Sequence, residues 1–318
     1  MNYRHYLEPA VRLTIAAVSR GRWIGEDLKD ASAVAAHLRE RGYNVTLAYW
    51  NRPGEPADAV IRRYHELLDA TKAVGGSSYV SIKAPAFGAD PRLYGELLAR
   101  SGELGVPLHF DALGADAADQ IFALVAECTP PSRQPVGCTL PGRWSRSARD
   151  AEKLAGSNVS IRIVKGEWPD PDAPTLDPTK GFLDVVGRLA GRAASVRLAT
   201  HDADLARRSI EILRRAGTPC DLEVLFGFPV RTLLPVTSTM GVPIRVYLPF
   251  GQGWLPYCMR HVRAHPTFLW WLARDSLAGP YPDGFSVLRT APGERRQDDV
   301  GAGDPEQTGD RATDRART

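Results

Sequence analysis

No two of the four cysteines, Cys128, Cys138, Cys220 and Cys258, are close enough to form a CxxC pair or a metal-ligand set. The sequence therefore gives no reason to expect a metal site or a disulfide framework, and it suits a cytoplasm that keeps thiols reduced. Residues 1–20 mix charged and apolar residues as an amphipathic helix does, which reads against a secretion signal. No apolar run approaches the roughly 18 residues that span a bilayer. Basic residues do not cluster: 40 Lys and Arg stand against 37 Asp and Glu, a net charge of +3, which argues against a nucleic-acid partner. A GxGxxG turn is missing, and with it the usual mark of a dinucleotide-binding open sheet. GxSxG is missing too, and no carboxylate pair of the glycosidase kind stands out.

What is present is a repeated unit. At 43% hydrophobic residues, the 318-residue chain can bury a large core. Short apolar runs rich in β-branched and aromatic residues occur at 43–50, 79–85, 107–113, 135–141, 159–166, 195–201, 220–227 and 244–251. Amphipathic helical patterns lie between them, such as 59–74, 90–104, 116–128, 205–217 and 230–241. Alternating strands and helices predict a parallel sheet covered by helices, and eight such units predict the closed (βα)8 TIM-type barrel. A doubly wound open sheet is the alternative. Helical patterns over 12–20 and 28–41 predict an N-terminal helical segment, residues 1–42, before a barrel domain over 43–290. Residues 291–318 have almost no large apolar side chain and predict a disordered tail.

In such a barrel, chemistry sits at the C-terminal ends of the strands. Those ends carry Lys83, Asp111, Arg162, Lys165, Thr200, His201 and Tyr247. Each has a structural reading as well. Lys83 and Asp111 form either a buried bridge or part of a site lining, and the two readings are compatible. Arg162 and Lys165, three apart on a strand, point to opposite faces and serve different partners. His201 reads as a ligand contact or a packed cap, and Tyr247 as site or core. The cations Lys83, Arg162, Lys165 and Arg260 predict a positively biased mouth suited to an anionic ligand. The final strand leads through Gly251 and Gly253 into a helical pattern on which Tyr257, Arg260 and His261 share one face. A phenol, a guanidinium and an imidazole there can grip a small molecule with a carboxylate and an apolar ring. Trp270 and Trp271 follow, where this C-terminal helix over the mouth packs back.

Over residues 24–272 the motifs resemble those of the proline dehydrogenases, FAD-dependent enzymes, here of the monofunctional bacterial type. YVSIKAP with Lys83, LHFDAL with Asp111, IRIVKGEW with Arg162, ATHD with Thr200 and His201, LFG with Leu225, and RVYLPFG followed by YCMRH occur in the family's order. The resemblance implies Asp111, Arg162 and Tyr247 as catalytic residues, and Lys83, Leu225, Tyr257, Arg260 and His261 around the substrate. It implies Ala112, Cys138, Arg162, Lys165, Gly166, Glu167, Thr200 and His201 along FAD, with Arg162 near the flavin N5. The implied reaction oxidises L-proline or a proline-like cyclic imino acid to the cyclic imine. Electrons then pass to a quinone or another acceptor, which leaves room for peripheral contact between a cytoplasmic protein and the inner face of the membrane.

Four positions depart from the family pattern. Arg260-His261 replaces two adjacent arginines, Cys138 a glutamine, Ala264 a glutamate and Glu167 a small residue. One lost charge-assisted bond weakens carboxylate binding by about 1.5–3 kcal/mol, unless the substrate is a larger or differently placed analogue. Two other readings stay open at this point. One is a Schiff-base barrel aldolase or lyase using Lys83 or Lys165; the other is a non-catalytic barrel that binds an imino acid.

Overall fold

A computed structural model of the protein describes residues 24–83, 90–111, 114–127, 136–254, 256–258, 270 and 274. The expected helix over 12–20, the tail from 291, Ala112, Arg260, His261, Ala264 and Trp271 lie outside them. Eight parallel strands close into a barrel in sequence order. They are β1 (Asn44–Tyr49), β2 (Tyr79–Ile82), β3 (Leu108–Phe110), β4 (Val136–Pro141), β5 (Ser160–Val164), β6 (Ser195–Ala199), β7 (Cys220–Leu225) and β8 (Ile244–Phe250). Helix α1 (Leu28–Glu40) precedes β1. The crossovers carry α2 (Ala57–Val74), α3 (Pro91–Leu104), α4 (Ala118–Glu127), α5 (Ser147–Leu154), α6 (Pro178–Leu189), α7 (Ala203–Arg215) and α8 (Leu234–Met240). The eight strands fall where the sequence predicts them, and the open sheet is excluded. Helices α5 and α6 were not among the patterns singled out above. Helix α5 is two turns long, and α6 follows a loop rich in proline and aspartate, so neither offers a long periodic stretch.

The strands are two-faced, although a parallel barrel buries both faces. One set of alternate positions, including Val80, Ile82, Leu108, Phe110, Ile161, Ile163, Leu222 and Val224, joins the apolar core under the helices. The other set is polar: Ser81, His109, Thr139, Arg162, Glu223 and Arg245 are buried as well. These side chains fill the lumen, because they bond between strands that are not neighbours. Tyr79 of β2 donates to Glu223 of β7 at 2.7 Å, for example, while β2 pairs only with β1 and β3.

Closure depends on β8 finding β1, with Asn44 opposite Arg245 and Tyr49 opposite Phe250. Arg245 ties this seam. Its Nε donates to Asp221 of β7 at 2.8 Å, and its Nη1 to the Val45 carbonyl of β1 at 3.1 Å and the Ser77 carbonyl before β2 at 2.6 Å. A guanidinium does this well because its donors lie in a fixed fork and its charge meets a carboxylate. Arg245→Met should cost about 3–5 kcal/mol of stability, since it strands Asp221 in the interior. Chemical denaturation measures this, and a loss below about 1 kcal/mol would show that the seam closes without the arginine.

Candidate active site

Asp111, one residue beyond β3, is the hub of a buried cluster at the C-terminal ends of the strands. Its Oδ2 ion-pairs with Lys83 Nζ and accepts from the Tyr247 hydroxyl at 3.2 Å. Its Oδ1 accepts from Ser81 Oγ at 2.6 Å and pairs with Arg162 Nη2. Lys83 Nζ also donates to Tyr247 Oη at 2.7 Å. Arg162 turns its other nitrogens to Thr139 Oγ1, at 3.1 Å from Nε, and Glu223 Oε1, at 3.1 Å from Nη1. Lys83, Asp111, Arg162, Glu223 and Tyr247 are each 9% exposed or less. Charges this deep are tolerated when each is paired with an opposite charge, and here each is. Burial raises the Tyr247 phenol well above its usual range; Arg162 opposes this and Glu223 adds to it, so the hydroxyl keeps its proton.

The last helical segment is seated on the end of β1. Trp50 N–H donates to the Phe250 carbonyl at 2.8 Å, and Gly253 N–H to the Trp50 carbonyl at 3.0 Å. Gly251 has φ +103°, and a Cβ there would lie 2.5 Å from the Trp50 carbonyl oxygen, so only glycine fits. The turn brings Trp254 and Tyr257 against Trp50, with ring centroids 5.2 and 4.5 Å away. Tyr257 stacks on Trp254 at 5.1 Å and lies 6.2 Å from Trp168. Lys83 Nζ sits 4.2 Å from the Trp50 ring centroid, so the aromatic group and the ionic cluster are continuous.

The rest of the expected lining divides. Arg162 points into the lumen and Lys165 to the rim, as their spacing predicts; Lys165 pairs with Asp202 at 2.9 Å. Asp202 also accepts from Leu205 N–H at the start of α7. Burial works to raise its pKa, but these bonds win and hold it below the usual range. Gly166 has φ +90°, where a Cβ would meet Pro141 at 2.8 Å. The Glu167 carbonyl accepts from Arg143 at 2.9 Å. Thr200 is buried and its hydroxyl accepts from Asp202 N–H. His201 Nε2 accepts from Leu225 N–H at 2.9 Å, so its Nδ1 carries the proton and donates to the Pro229 carbonyl at 2.9 Å. This histidine couples the ends of β6 and β7 as a neutral imidazole.

Two expectations change. Cys138 is not brought to the group: it lies in the apolar core with its thiol raised by burial and then by Asp150, and Thr139 is the β4 residue that reaches Arg162. The mouth is also not an excess of positive charge among the described residues. Lys83, Arg162 and Lys165 are matched by Asp111, Glu223 and Asp202. Sequence reading missed Glu223, Ser81, Thr139 and Trp50. The alternation of polar with apolar residues, as in SIRI and DLEV, was the signal that could have found the first three.

Among the described residues no group of three or more His, Cys, Asp or Glu could hold a metal ion, and no helix is long and apolar enough to cross a membrane. No family model matches the chain. Among curated proteins it is 28% identical over 248 residues to a proline dehydrogenase of Deinococcus radiodurans, covering 71% of this chain and 76% of that one. It is 20% identical over 279 residues to proline dehydrogenase 2 of Bacillus subtilis strain 168, covering 82% and 91%. Among solved structures it superposes on proline utilization A (PutA) from Bdellovibrio bacteriovorus inactivated by N-propargylglycine, with a TM-score of 0.69 and 16% identity over 91% of this chain. PutA from Corynebacterium freiburgense gives 0.62 and 17% over 83%. The chain spans about a third of those two structures, 36% and 33%, and the likeness to them is one of fold.

Next to the cluster, His109 reaches Thr139 at 2.9 Å. Burial, and then Arg162, Arg197 and Arg245, lower its pKa well below 6.5. The unfolded chain therefore takes up a proton below about pH 6.5 that the folded protein refuses, and stability falls as pH drops. The slope from this residue is about 1.4 kcal/mol per pH unit. Urea unfolding from pH 7 to 5 should show a shallower decline in His109→Asn; an identical decline would mean that the imidazole is not buried neutral.

Proposed function

We propose that this chain, which is 28% identical over 248 residues to a proline dehydrogenase, works as that family does and oxidises L-proline, or a closely related cyclic imino acid, to the cyclic imine. The observation that carries the reading is the convergence of Lys83, Asp111, Arg162 and Tyr247, taken from four separate motifs, on one buried cluster. Neither competing reading gains such support. A Schiff-base lysine needs a free amine, yet Lys83 and Lys165 are both ion-paired with carboxylates. A pure binding barrel has no need of Lys83, Asp111, Arg162 and Glu223 interlocked beneath its mouth.

FAD is the cofactor this reading requires, and the donor set suits it. Arg162 spends three of its five N–H donors on Thr139, Glu223 and Asp111, which leaves two for a ligand. Ala112, Lys165, Gly166, Glu167, Thr200 and His201 would complete the binding surface at the same strand ends. Bound there, FAD would accept a hydride from the ring carbon beside the substrate nitrogen. The protein's share is orientation and charge. Arg260 would hold the substrate carboxylate, with His261 and Lys83 assisting, and Tyr247, Tyr257 and Leu225 would wall the ring. Asp111 accepts from Ser81, Arg162, Lys83 and Tyr247, so both its oxygens are fully engaged. It therefore acts by fixing Lys83 and Tyr247, and the amine proton leaves to solvent. A quinone or another acceptor would reoxidise the flavin, in the cytoplasm or at the inner face of the membrane.

Incubating the FAD-loaded protein with L-proline and an artificial electron acceptor, followed by mass spectrometry, tests the reaction. The product should be lighter by two hydrogens, and Arg162→Met should lower kcat by about 100- to 1,000-fold. Lack of turnover of L-proline and of its four- and six-membered ring analogues would refute the proposal. His261→Arg should raise kcat/KM for L-proline about ten- to a hundredfold by restoring a charge-assisted bond. A loss of activity instead would mean that the histidine contacts another substrate group.

A further inference from the structure

The opposite end of the barrel holds a cavity of about 330 Å³. Its lining includes Tyr79, Ser160 and Ser195, which begin β2, β5 and β6, together with His109, Asn158 and Arg197. Tyr79 and Lys83 are four residues apart, so the Tyr79 end of the cavity lies about 13 Å below Lys83. Its size is at the lower end of small-molecule sites.

Two buried donors there have no partner. His109 is 1% exposed, and its Nδ1 makes no hydrogen bond. Its tautomer follows from its neighbours. Thr139 Oγ1 accepts from Arg162 Nε, and the Thr139 hydroxyl hydrogen has His109 Nε2, 2.9 Å away, as its acceptor. Nδ1 therefore carries the imidazole proton. It faces Gly137, where a Cβ would come within 2.3 Å of it, so glycine keeps that edge of the ring open to the cavity. The second donor is Arg197 Nε, also buried and without a partner.

Charge points the same way. The lumen holds four cations, Lys83, Arg162, Arg197 and Arg245, against three carboxylates, Asp111, Asp221 and Glu223. Among the described residues Arg197 is the one of these cations without an ion pair; it donates to Ser160 Oγ and lies over the Tyr79 ring at 4.4 Å. Asp221, opposite Arg197 in register, accepts from Arg245 Nε at Oδ2, and its Oδ1 has no hydrogen bond to Arg197 or any other group. None of the three carboxylates lines the cavity, whereas Pro107, Leu108 and Val136 do. Two unspent N–H donors, one unmatched positive charge and an apolar wall suit an acceptor-only anion with a short hydrocarbon body.

We propose that this cavity is a binding site for a small organic carboxylate, with His109 Nδ1 and Arg197 as its donors. An apolar wall favours an organic acid over inorganic phosphate, which has no surface to set against it. A short chain of hydrogen bonds, His109 to Thr139 to Arg162, runs from the site to the cluster at the other mouth.

Titration calorimetry of propionate into the FAD-loaded protein tests this, using the wild type, Arg197→Gln, and Lys83→Met as a variant of the other mouth. Propionate should bind the wild type and Lys83→Met alike, and Arg197→Gln at least about tenfold more weakly, for one lost charge-assisted bond. Ser195→Leu, which places a side chain in the cavity without removing a charge, should abolish the same binding and serves if Arg197→Gln does not fold. Inorganic phosphate should fail to compete. Unchanged affinity in Arg197→Gln or Ser195→Leu, or a loss that follows Lys83→Met, would overturn the site. Equal competition by phosphate would overturn the carboxylate assignment.

Discussion

The constraint on which the rest of the structure depends is the balance of charge around Asp111. One carboxylate inside a protein is costly by itself, and so is each cation that meets it. Together, Asp111 with Lys83 and Arg162, and Arg162 with Glu223, give alternating signs in which each charge is the other's counter-ion. Replacing the set by apolar residues of similar volume could preserve or raise stability, so the ions are not there to hold the barrel shut. What they provide is fixed orientation: a guanidinium with donors still to spend and a phenol held by an ammonium and a carboxylate.

The barrel makes that balance achievable. Its strands differ from those of an ordinary parallel barrel, whose interior is filled by branched apolar side chains. Here the apolar residues are gathered on the helix-facing set of positions, and the lumen is given over to hydroxyls, carboxylates and cations from end to end. Arg245 and Asp221 occupy the lower part, Arg162 and Glu223 the middle, and Lys83 and Asp111 the upper rim. The polar interior is thus one connected structure with two mouths, and the motif residues Lys83, Asp111, Arg162 and Tyr247 gather at only one of them.

Much of this could be read from the sequence. Eight strands, their order and the barrel followed from the spacing of apolar runs, and Lys83, Asp111, Arg162 and Tyr247 followed from strand-end position and motif. What stayed hidden were partners contributed across the lumen. Glu223 sits inside CDLEVL, where a single acid between leucine and valine gives no local sign that it meets an arginine 61 residues away. Cys138 was expected along the flavin because the family resemblance sets it where a glutamine stands; register instead puts Thr139 opposite Arg162 and turns Cys138 to the core, and register is a property of neighbouring strands. Trp50 was placed at a strand end without a role, since its contacts come from β2 and from the turn after β8.

The most direct measurement of the central claim, that the Asp111 cluster holds Arg162 ready for a flavin and an imino acid, is an anaerobic absorbance titration. The purified protein should carry or take up FAD, and L-proline should bleach the oxidised flavin bands. In Arg162→Met, FAD should bind and the bleaching should be slowed by about two orders of magnitude or more. A protein that takes up no flavin, or an Arg162→Met variant that bleaches as fast as the wild type, would contradict it.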